Sequence, residues 1–193
     1  MEIKHGKLTV KGDLDKLPEG VLDKLLAAFD AAYPKIWARF GDGEEKDIVY
    51  GIKADYDGIA FTAGSFIGLN PAWMVKNPND IDCMTHELIH AAQQYPSYQH
   101  AWLVEGIADY GRDVYGVCND LQGWKLPSPD RCRRWQDGYR ACAAFLKYLE
   151  KNHCEDIVDK LHLALRNETF DTELFVTYTG KTLEELWDAF KNS

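Results

Sequence analysis

The stretch His86-Glu87-Leu88-Ile89-His90 places two histidines four residues apart, with a glutamate directly after the first. On an α-helix, residues four apart share one face and lie about 6 Å apart along the axis, so both imidazoles can reach one metal ion. Glu87 projects beside them, where its carboxylate can contact a metal-bound water without being a ligand. The stretch has the H-E-x-x-H pattern of zinc hydrolases and predicts a metal site on a helix.

A catalytic zinc ion needs a third protein ligand and one open coordination position. One family of zinc proteases has a glycine three residues and a third histidine six residues after the second histidine. Gln93 and Pro96 occupy these positions here, so this type of third ligand is excluded. Glu105 follows His90 by 15 residues, which leaves room for a turn and an antiparallel return. Its neighbours are apolar, and a carboxylate buried among them needs a partner. We therefore predict Glu105 as the third ligand.

Two other residues are alternatives for the third ligand position. His100 lies in the turn before the second helix. Asp113 precedes Tyr115-Gly116, but the spacing is one residue shorter than in zinc proteases that use an aspartate ligand. Asp109 follows Glu105 by one helical turn, and we predict that it accepts a hydrogen bond from the outer N–H of His86 or, less favoured, His90. Such an outer partner fixes the tautomer of a ligand imidazole.

The order of predicted elements indicates the fold class. A helix is predicted over 17–40, kinked or divided at Pro34, and three short strands follow at 47–52, 58–62 and 65–69. Asn77-Pro78-Asn79-Asp80 resembles a helix N-terminus. The remaining chain is predicted as helices at 77–95, 102–115, 135–151, 155–166 and 183–191. We predict an α+β fold in a single domain over 1–193, with an N-terminal lobe of about 1–97 and a mainly helical C-terminal lobe of about 98–193.

Charge and hydropathy exclude several classes of partner. The formal net charge is -9, the sequence pI is about 5.1, and no run is rich in Lys or Arg. This balance argues against a nucleic acid or an anionic membrane as partner. No apolar stretch approaches the roughly 20 residues of a membrane span. We expect a monomer.

Five cysteines are an odd number for a disulfide framework, and none forms a Cys-x-x-Cys pair. Cys118 and Cys132 bracket a loop rich in Asn, Gly and Pro, and they are the predicted pair if a disulfide forms. Cys83 and Cys142 fit small buried thiols better.

Four stretches of the chain carry a family resemblance. They are residues 82–115, with HELIHAAQQY and WLVEGIADYGR, then WQDGYR at 135–140, AAFL at 143–146 and TGKTLEELW at 179–187. In this order they resemble the plant and bacterial basic secretory protein family of metallopeptidases, over about residues 47–190.

The resemblance implies a zincin-like metalloprotease fold, bound Zn²⁺, peptidase activity and export from the cytoplasm. It carries over His86, Glu87, His90 and Glu105 as site residues. The family is named for basic proteins, whereas this chain has an acidic net charge. A secreted or periplasmic location is expected from the resemblance, but the first residues show no secretory signal, so a cytoplasmic location stays open.

Together the residues predict a zinc-dependent endopeptidase in which Glu87 is the general base. Tyr139 is the candidate donor to the developing oxyanion, although it fits an aromatic residue packed in the helical lobe equally well. An extended peptide or protein substrate is expected in a cleft, paired with an open strand edge at 66–70.

Two rival functions remain open at this point. One is a zinc-binding module without catalysis, against which the intact Glu87 argues. The other is a zinc hydrolase of a non-peptide amide or ester, which the sequence does not separate from a peptidase.

Overall fold

One mixed sheet of five strands and nine α-helices make up the computed structural model, which describes all 193 residues. The strands are β1 (Glu2–His5), β2 (Leu8–Gly12), β3 (Ile48–Ile52), β4 (Ala60–Ala63) and β5 (Phe66–Leu69). The helices are α1 (Val21–Phe40), α2 (Pro71–Lys76), α3 (Cys83–Gln93), α4 (Ala101–Tyr115), α5 (Asn119–Gln122), α6 (Tyr139–Asn152), α7 (Ile157–Arg166), α8 (Glu173–Thr179) and α9 (Leu183–Lys191). The predicted α+β class is confirmed. No helix is both long enough and apolar enough to span a membrane.

The sequence prediction missed the first two strands. They form an antiparallel hairpin in which His5 lies opposite Leu8, and β2 then pairs in parallel with β3. In β2 the side chains of Leu8 and Val10 are fully buried, whereas β1 alternates only between exposed and half-buried residues. A half-exposed edge strand leaves a weak periodic signal.

Helix α1 is the crossover between the parallel strands β2 and β3. Its buried side chains recur every three or four residues and form one apolar stripe. The predicted start at Leu17 was four residues early, because a short 3-10 helix at Leu14–Lys16 precedes α1 and Gly20 occupies its N-cap. Pro34 lies inside a single helix and does not divide it.

The prediction that β5 forms an open edge is wrong. The strand order is β1-β2-β3-β5-β4, so β5 pairs with β3 on one side and with β4 on the other. The edge next to β5 is occupied by β4, which runs antiparallel to it with Thr62 opposite Ile67. β4 precedes β5 in the sequence but lies outside it in the sheet. The order of strands along the chain therefore does not reveal which strand forms the edge.

The segment before the HELIH motif is interrupted, whereas the sequence predicted one helix over 77–95. Asn70 caps the separate helix α2 with its side chain, and Pro71 takes the first helical position. Asn77 is the C-cap of α2, and α3 begins only at Cys83. The Asn-Pro signal occurs twice in this segment, and the first occurrence is the helix start. At the other end Gln94 turns left-handed and stops α3 before Tyr95.

The helices of the second half lie close to their predicted positions. α4 and α9 match within one residue, and α9 begins with a capping box between Thr182 and Glu185. α6 begins at Tyr139, since residues 135–137 form a separate 3-10 turn. α8 was not predicted.

The chain divides into two compact units, of residues 1–94 with 111–124 and of residues 95–110 with 125–193. The first contains the sheet, α1 and α3, with a core that includes Phe29, Tyr50 and Ile67. The second has a core of Phe145, Trp187 and Phe190, whose rings lie 5.1–5.6 Å apart. The single domain with its two lobes stays a prediction.

All five cysteines are free thiols, so the predicted pairing of Cys118 with Cys132 is not formed. The Cys118 main-chain N–H donates to Asp82 Oδ2 at 2.5 Å, whereas Cys132 Sγ lies 3.5 Å from the Ser128 carbonyl oxygen. Each residue has its own local contacts. Cys83 and Cys142 are buried, as predicted for small core thiols.

Candidate metal centre

His86 and His90 lie on one face of α3, as the helical spacing predicts. Their Nε2 atoms are 3.1 Å apart, and their rings meet edge to face with centroids 4.8 Å apart. Two nitrogens that both bind one zinc ion at 2.0–2.1 Å, with a near-tetrahedral angle between them, are separated by about 3.3 Å. The two imidazoles therefore already face a common point.

Glu105, on α4, completes a group with the two histidines. One ligand atom from each of the three residues lies within 4.8 Å of the other two. The Glu105 side chain is only 8% exposed, and a buried carboxylate calls for a cation or several donors. Two imidazole nitrogens and a carboxylate oxygen are the donor set of many catalytic zinc sites, so the residues fit this metal.

The last turns of α4 are held by close packing against α3 and by a buried ion pair with the segment before α3. A Cβ added at Gly111 would lie 2.4 Å from Ile89 Cδ1, so only glycine permits this approach. Arg112 Nη2 donates to Asp80 Oδ1 at 2.5 Å, and its guanidinium lies 4.4 Å from the Trp124 ring centroid. α4 is thus anchored nearly two turns after Glu105, at Gly111 and Arg112.

A second buried carboxylate fixes the chain after α4. Asp82 accepts hydrogen bonds from the Thr85 hydroxyl at 2.8 Å and from the main-chain N–H groups of Val117 and Cys118. Asp82 is 1% exposed, and these three donors satisfy its carboxylate. Asp80, which the sequence placed at a helix start, and Asp82 both make tertiary contacts through their carboxylates.

The first turns of α4 also contain a glycine, Gly106, at which another helix approaches closely. A Cβ at Gly106 would lie 2.1 Å from Cys142 Sγ, so α6 packs directly on the helix beside Glu105. Burial raises the pKa of the Cys142 thiol, and the nearby Asp109 carboxylate raises it further. Burial likewise raises the pKa of Cys83 on α3 well above its ordinary value. Both thiols stay protonated at neutral pH and do not supply a thiolate.

Gln93 is an outer partner of His90 that the sequence reasoning missed. His90 Nδ1 lies 3.0 Å from Gln93 Oε1, and Gln93 is 1% exposed. An amide oxygen can accept a hydrogen bond from Nδ1 only if the imidazole carries its proton on that nitrogen. This tautomer leaves the Nε2 lone pair of His90 for the metal. The spacing of three residues on a helix was a local signal that could have identified Gln93.

Asp109 is 5% exposed on α4, one turn after Glu105. Because Gln93 occupies Nδ1 of His90, the predicted hydrogen bond from an imidazole to Asp109 concerns His86. That bond stays a prediction.

Glu87 is held by a residue of the edge strand β4. Thr62 Oγ1 lies 2.7 Å from Glu87 Oε2 and 2.9 Å from the Glu87 main-chain oxygen. Thr62 was not singled out in the sequence, because it lies 25 residues before Glu87 in a strand without a motif.

Tyr139 begins α6 with a φ of 45°, which is unusual for a residue other than glycine. Before it, Gly138 has φ 65° and ψ -153°, and a Cβ there would lie 3.2 Å from Trp102 Cα. Only glycine fits this position, so residue 139 is tied to α4 one turn before Glu105. The Tyr139 side chain is 54% exposed, which speaks against a packed core role. Its role at the oxyanion stays a prediction.

The remaining histidines have other surroundings. The His100 ring packs edge-on against Phe170 with centroids 4.7 Å apart. His5 pairs with Asp30 at 2.8 Å, and the buried His162 lies 2.8 Å from the Tyr95 hydroxyl. Neither His100 nor Asp113 belongs to the group formed by His86, His90 and Glu105.

Residues 16–190 match the family described as peptidases of plants and bacteria, abbreviated BSP. The match spans most of the chain. The protein belongs to the BSP family. No curated protein and no solved structure matches it.

The BSP assignment confirms the predicted resemblance and supports a hydrolase that acts on peptide bonds. The matched residues include the whole HELIH motif, Glu105 and Tyr139. In this BSP protein the candidate metal cluster is therefore part of the region that defines the family, while the roles of its ligands and of Glu87 stay predictions.

Proposed function

We propose that the protein is a zinc-dependent endopeptidase with Glu87 as its general base. The observation that carries the proposal is the convergence of His86, His90 and Glu105 ligand atoms within 4.8 Å of one another. Membership of a peptidase family supports it independently.

Zinc held by His86 Nε2, His90 Nε2 and Glu105 would supply a Lewis acid that acidifies the attacking water and polarises the scissile carbonyl. Gln93 then keeps His90 in the tautomer with a free Nε2 lone pair. Burial of Glu105 keeps its carboxylate in a poorly hydrated setting, where its attraction to a cation is stronger than in water.

Glu87 accepts the proton of the attacking water and returns it to the leaving amine. It follows His86 directly in the H-E-x-x-H motif, whose glutamate is the general base of zinc hydrolases. Thr62 donates to Oε2, so Oε1 is the oxygen without this hydrogen bond, and we assign the proton to it. A positioned carboxylate in this role contributes about 10²–10⁴ in rate.

Tyr139 donates its phenolic hydroxyl to the oxyanion as the carbonyl is attacked. Support comes from the φ of 45° at this exposed residue and from its tie to α4 through Gly138. A left-handed backbone costs a tyrosine on the order of 1 kcal/mol, and such strain concentrates at functional positions.

The substrate is a peptide or protein segment in extended conformation. β4 is the sheet edge nearest Glu87, so strand addition is proposed there instead of at the buried β5. The proposal also includes export from the cytoplasm and a monomeric state. It includes no nucleic-acid partner and no membrane partner.

Metal analysis combined with a broad peptide-library digest tests the proposal. We expect about one zinc ion per chain, cleavage within extended peptides, and loss of cleavage after chelation that added zinc restores. The physical reason is that apo protein retains Glu87 but has no Lewis acid. The digest is read by mass spectrometry of the products.

Other outcomes of the same experiment favour the rival functions. Tight zinc binding without cleavage of any peptide would indicate a non-catalytic zinc module. Cleavage restricted to small esters or amides would indicate a non-peptide hydrolase. Cleavage that survives complete removal of metal would contradict the proposed chemistry.

Asp109→Ala is expected to weaken zinc binding or kcat/KM by about 10–100-fold, without complete loss. The reason is that the carboxylate would hold the His86 ring through its Nδ1–H and raise its basicity. Competition with a chromophoric zinc chelator measures the affinity. Asp113→Ala, one turn further along α4, is the matched control, with an expected change below about threefold. Equal effects of the two substitutions would refute the outer-partner role of Asp109.

A further inference from the structure

The contact between Thr62 and Glu87 joins the edge strand to the active-site helix. Thr62 Oγ1 is 2.7 Å from Glu87 Oε2, the usual distance for a hydroxyl that donates to an oxygen acceptor. The same oxygen is 2.9 Å from the Glu87 main-chain oxygen. Both residues are half-buried and lie in the same compact unit.

The Thr62 hydroxyl has one proton and two acceptors within reach, so it donates to one of them at a time. The carboxylate is the stronger acceptor because a charge-assisted hydrogen bond is about twice as strong as a neutral one. The bond therefore goes to Oε2 whenever Glu87 is ionised. Oε1 is the carboxylate oxygen that does not take part in this hydrogen bond.

The donor sits on a rigid support. Thr62 is paired with Ile67 in the antiparallel β4–β5 ladder, and the neighbouring Phe61 covers Gly68 of β5. A glutamate side chain has three rotatable bonds, and a displacement of about 1 Å at a reacting group can cost 10²-fold in rate. A hydroxyl fixed by the sheet removes that freedom from one end of the carboxylate.

We infer that Thr62 is a positioning residue that locks the Glu87 carboxylate, with Oε1 presented to the attacking water. The inference rests on the proposed peptidase function. Thr62 touches neither metal ligand nor water in this role; it acts through Glu87. The role is distinct from that of Gln93, which orients a ligand.

Thr62→Val tests the inference, because valine keeps the shape and β-branching of threonine but has no donor. We expect kcat on a cleaved peptide to fall about 10–100-fold, with KM changed less than about threefold and zinc content unchanged. Thr62→Ser should retain kcat within about threefold of the wild type. Thr9→Val, on β2 of the same sheet, is the matched control and should change kcat less than twofold.

Two further measurements separate the possible failures. In a Glu87→Gln background, Thr62→Val should produce no additional loss, because both act on one group. In metal-free protein, Thr62→Val should lower the folding equilibrium constant about tenfold more in the wild-type background than in a Glu87→Leu background. This double-mutant cycle measures the coupling between Thr62 and Glu87 from folding stability, independently of enzyme activity.

Wild-type kcat in Thr62→Val, or an equally slow Thr62→Ser, overturns the positioning role while the peptidase proposal stands. A zinc-loaded wild type that cleaves no peptide overturns the proposed function, and the positioning role with it. A selective loss of kcat in Thr62→Val, rescued by serine, supports both.

Discussion

Glu87→Gln is expected to reduce kcat/KM by at least about 10³-fold while the protein keeps one zinc ion per chain. Glutamine has the size of glutamate, and its amide oxygen can still accept the hydrogen bond from Thr62. It does not take a proton from water at neutral pH. The base is removed while the ligand set and the fold stay in place.

The measurement pairs single-turnover cleavage of a verified peptide with metal analysis of the same sample. Glu173→Gln, an identical change on the exposed first turn of α8, serves as the control and should leave both readouts unchanged. If Glu87→Gln turns over at the wild-type rate, Glu87 is not the general base. If it loses its zinc, Glu87 acts instead through the integrity of the site.

The metal ligands could be predicted from sequence because their arrangement is largely local. His86 and His90 are one helical turn apart, so helix geometry places both imidazoles on one face, and their Nε2 atoms lie 3.1 Å apart. Glu105 needed one further inference, that a carboxylate in an apolar run is buried beside a cation. The 8% exposure of Glu105 and its place in the cluster agree with that reasoning.

The edge of the sheet could not be predicted, because strand order is set by non-local pairing. β5 follows β4 in the chain yet inserts between β4 and β3. Thr62 became visible as a partner of Glu87 only once β4 was known to lie beside α3. The alternation of side chains tells which face of a strand is buried but not which strand is its neighbour.

The helix start at Asn77 shows a different limit. Asn70-Pro71 and Asn77-Pro78 carry the same N-cap signal, seven residues apart. Tertiary contacts decide between them, because Asp80 is drawn into the ion pair with Arg112 and a hydrogen bond from Trp73. A residue so engaged does not serve the first turn of a helix. Local signals list candidate boundaries, and distant partners select among them.

α4 shows why two glycines occur in a helix that is otherwise apolar and well formed. Glycine in a helix interior costs about 1 kcal/mol relative to alanine. Here Gly106 admits Cys142 and Gly111 admits Ile89, each at a distance that a Cβ would forbid. The two glycines lower the intrinsic stability of the helix, but they allow close packing near Glu105 and Asp109.

Glu105→Ala is expected to abolish both zinc retention and hydrolysis, a larger effect than that of Asp109→Ala. With Glu105 removed, only two imidazoles remain, and a catalytic zinc site uses three protein ligands. Zinc content should fall from about one ion per chain to near zero after dialysis. The loss of a ligand also removes the only negative charge among the three donors.

Thermal unfolding with and without zinc gives a second readout for the same substitution. A ligand present at about 1,000 times its Kd stabilises the folded state by about 4 kcal/mol, so zinc should raise the wild-type midpoint and leave that of Glu105→Ala unchanged. His100→Ala is the matched control, because His100 is the rival ligand and packs against Phe170. It should keep both its zinc and the zinc-dependent rise in midpoint. The reverse pattern, with zinc retained in Glu105→Ala and lost in His100→Ala, would show that His100 is the third ligand.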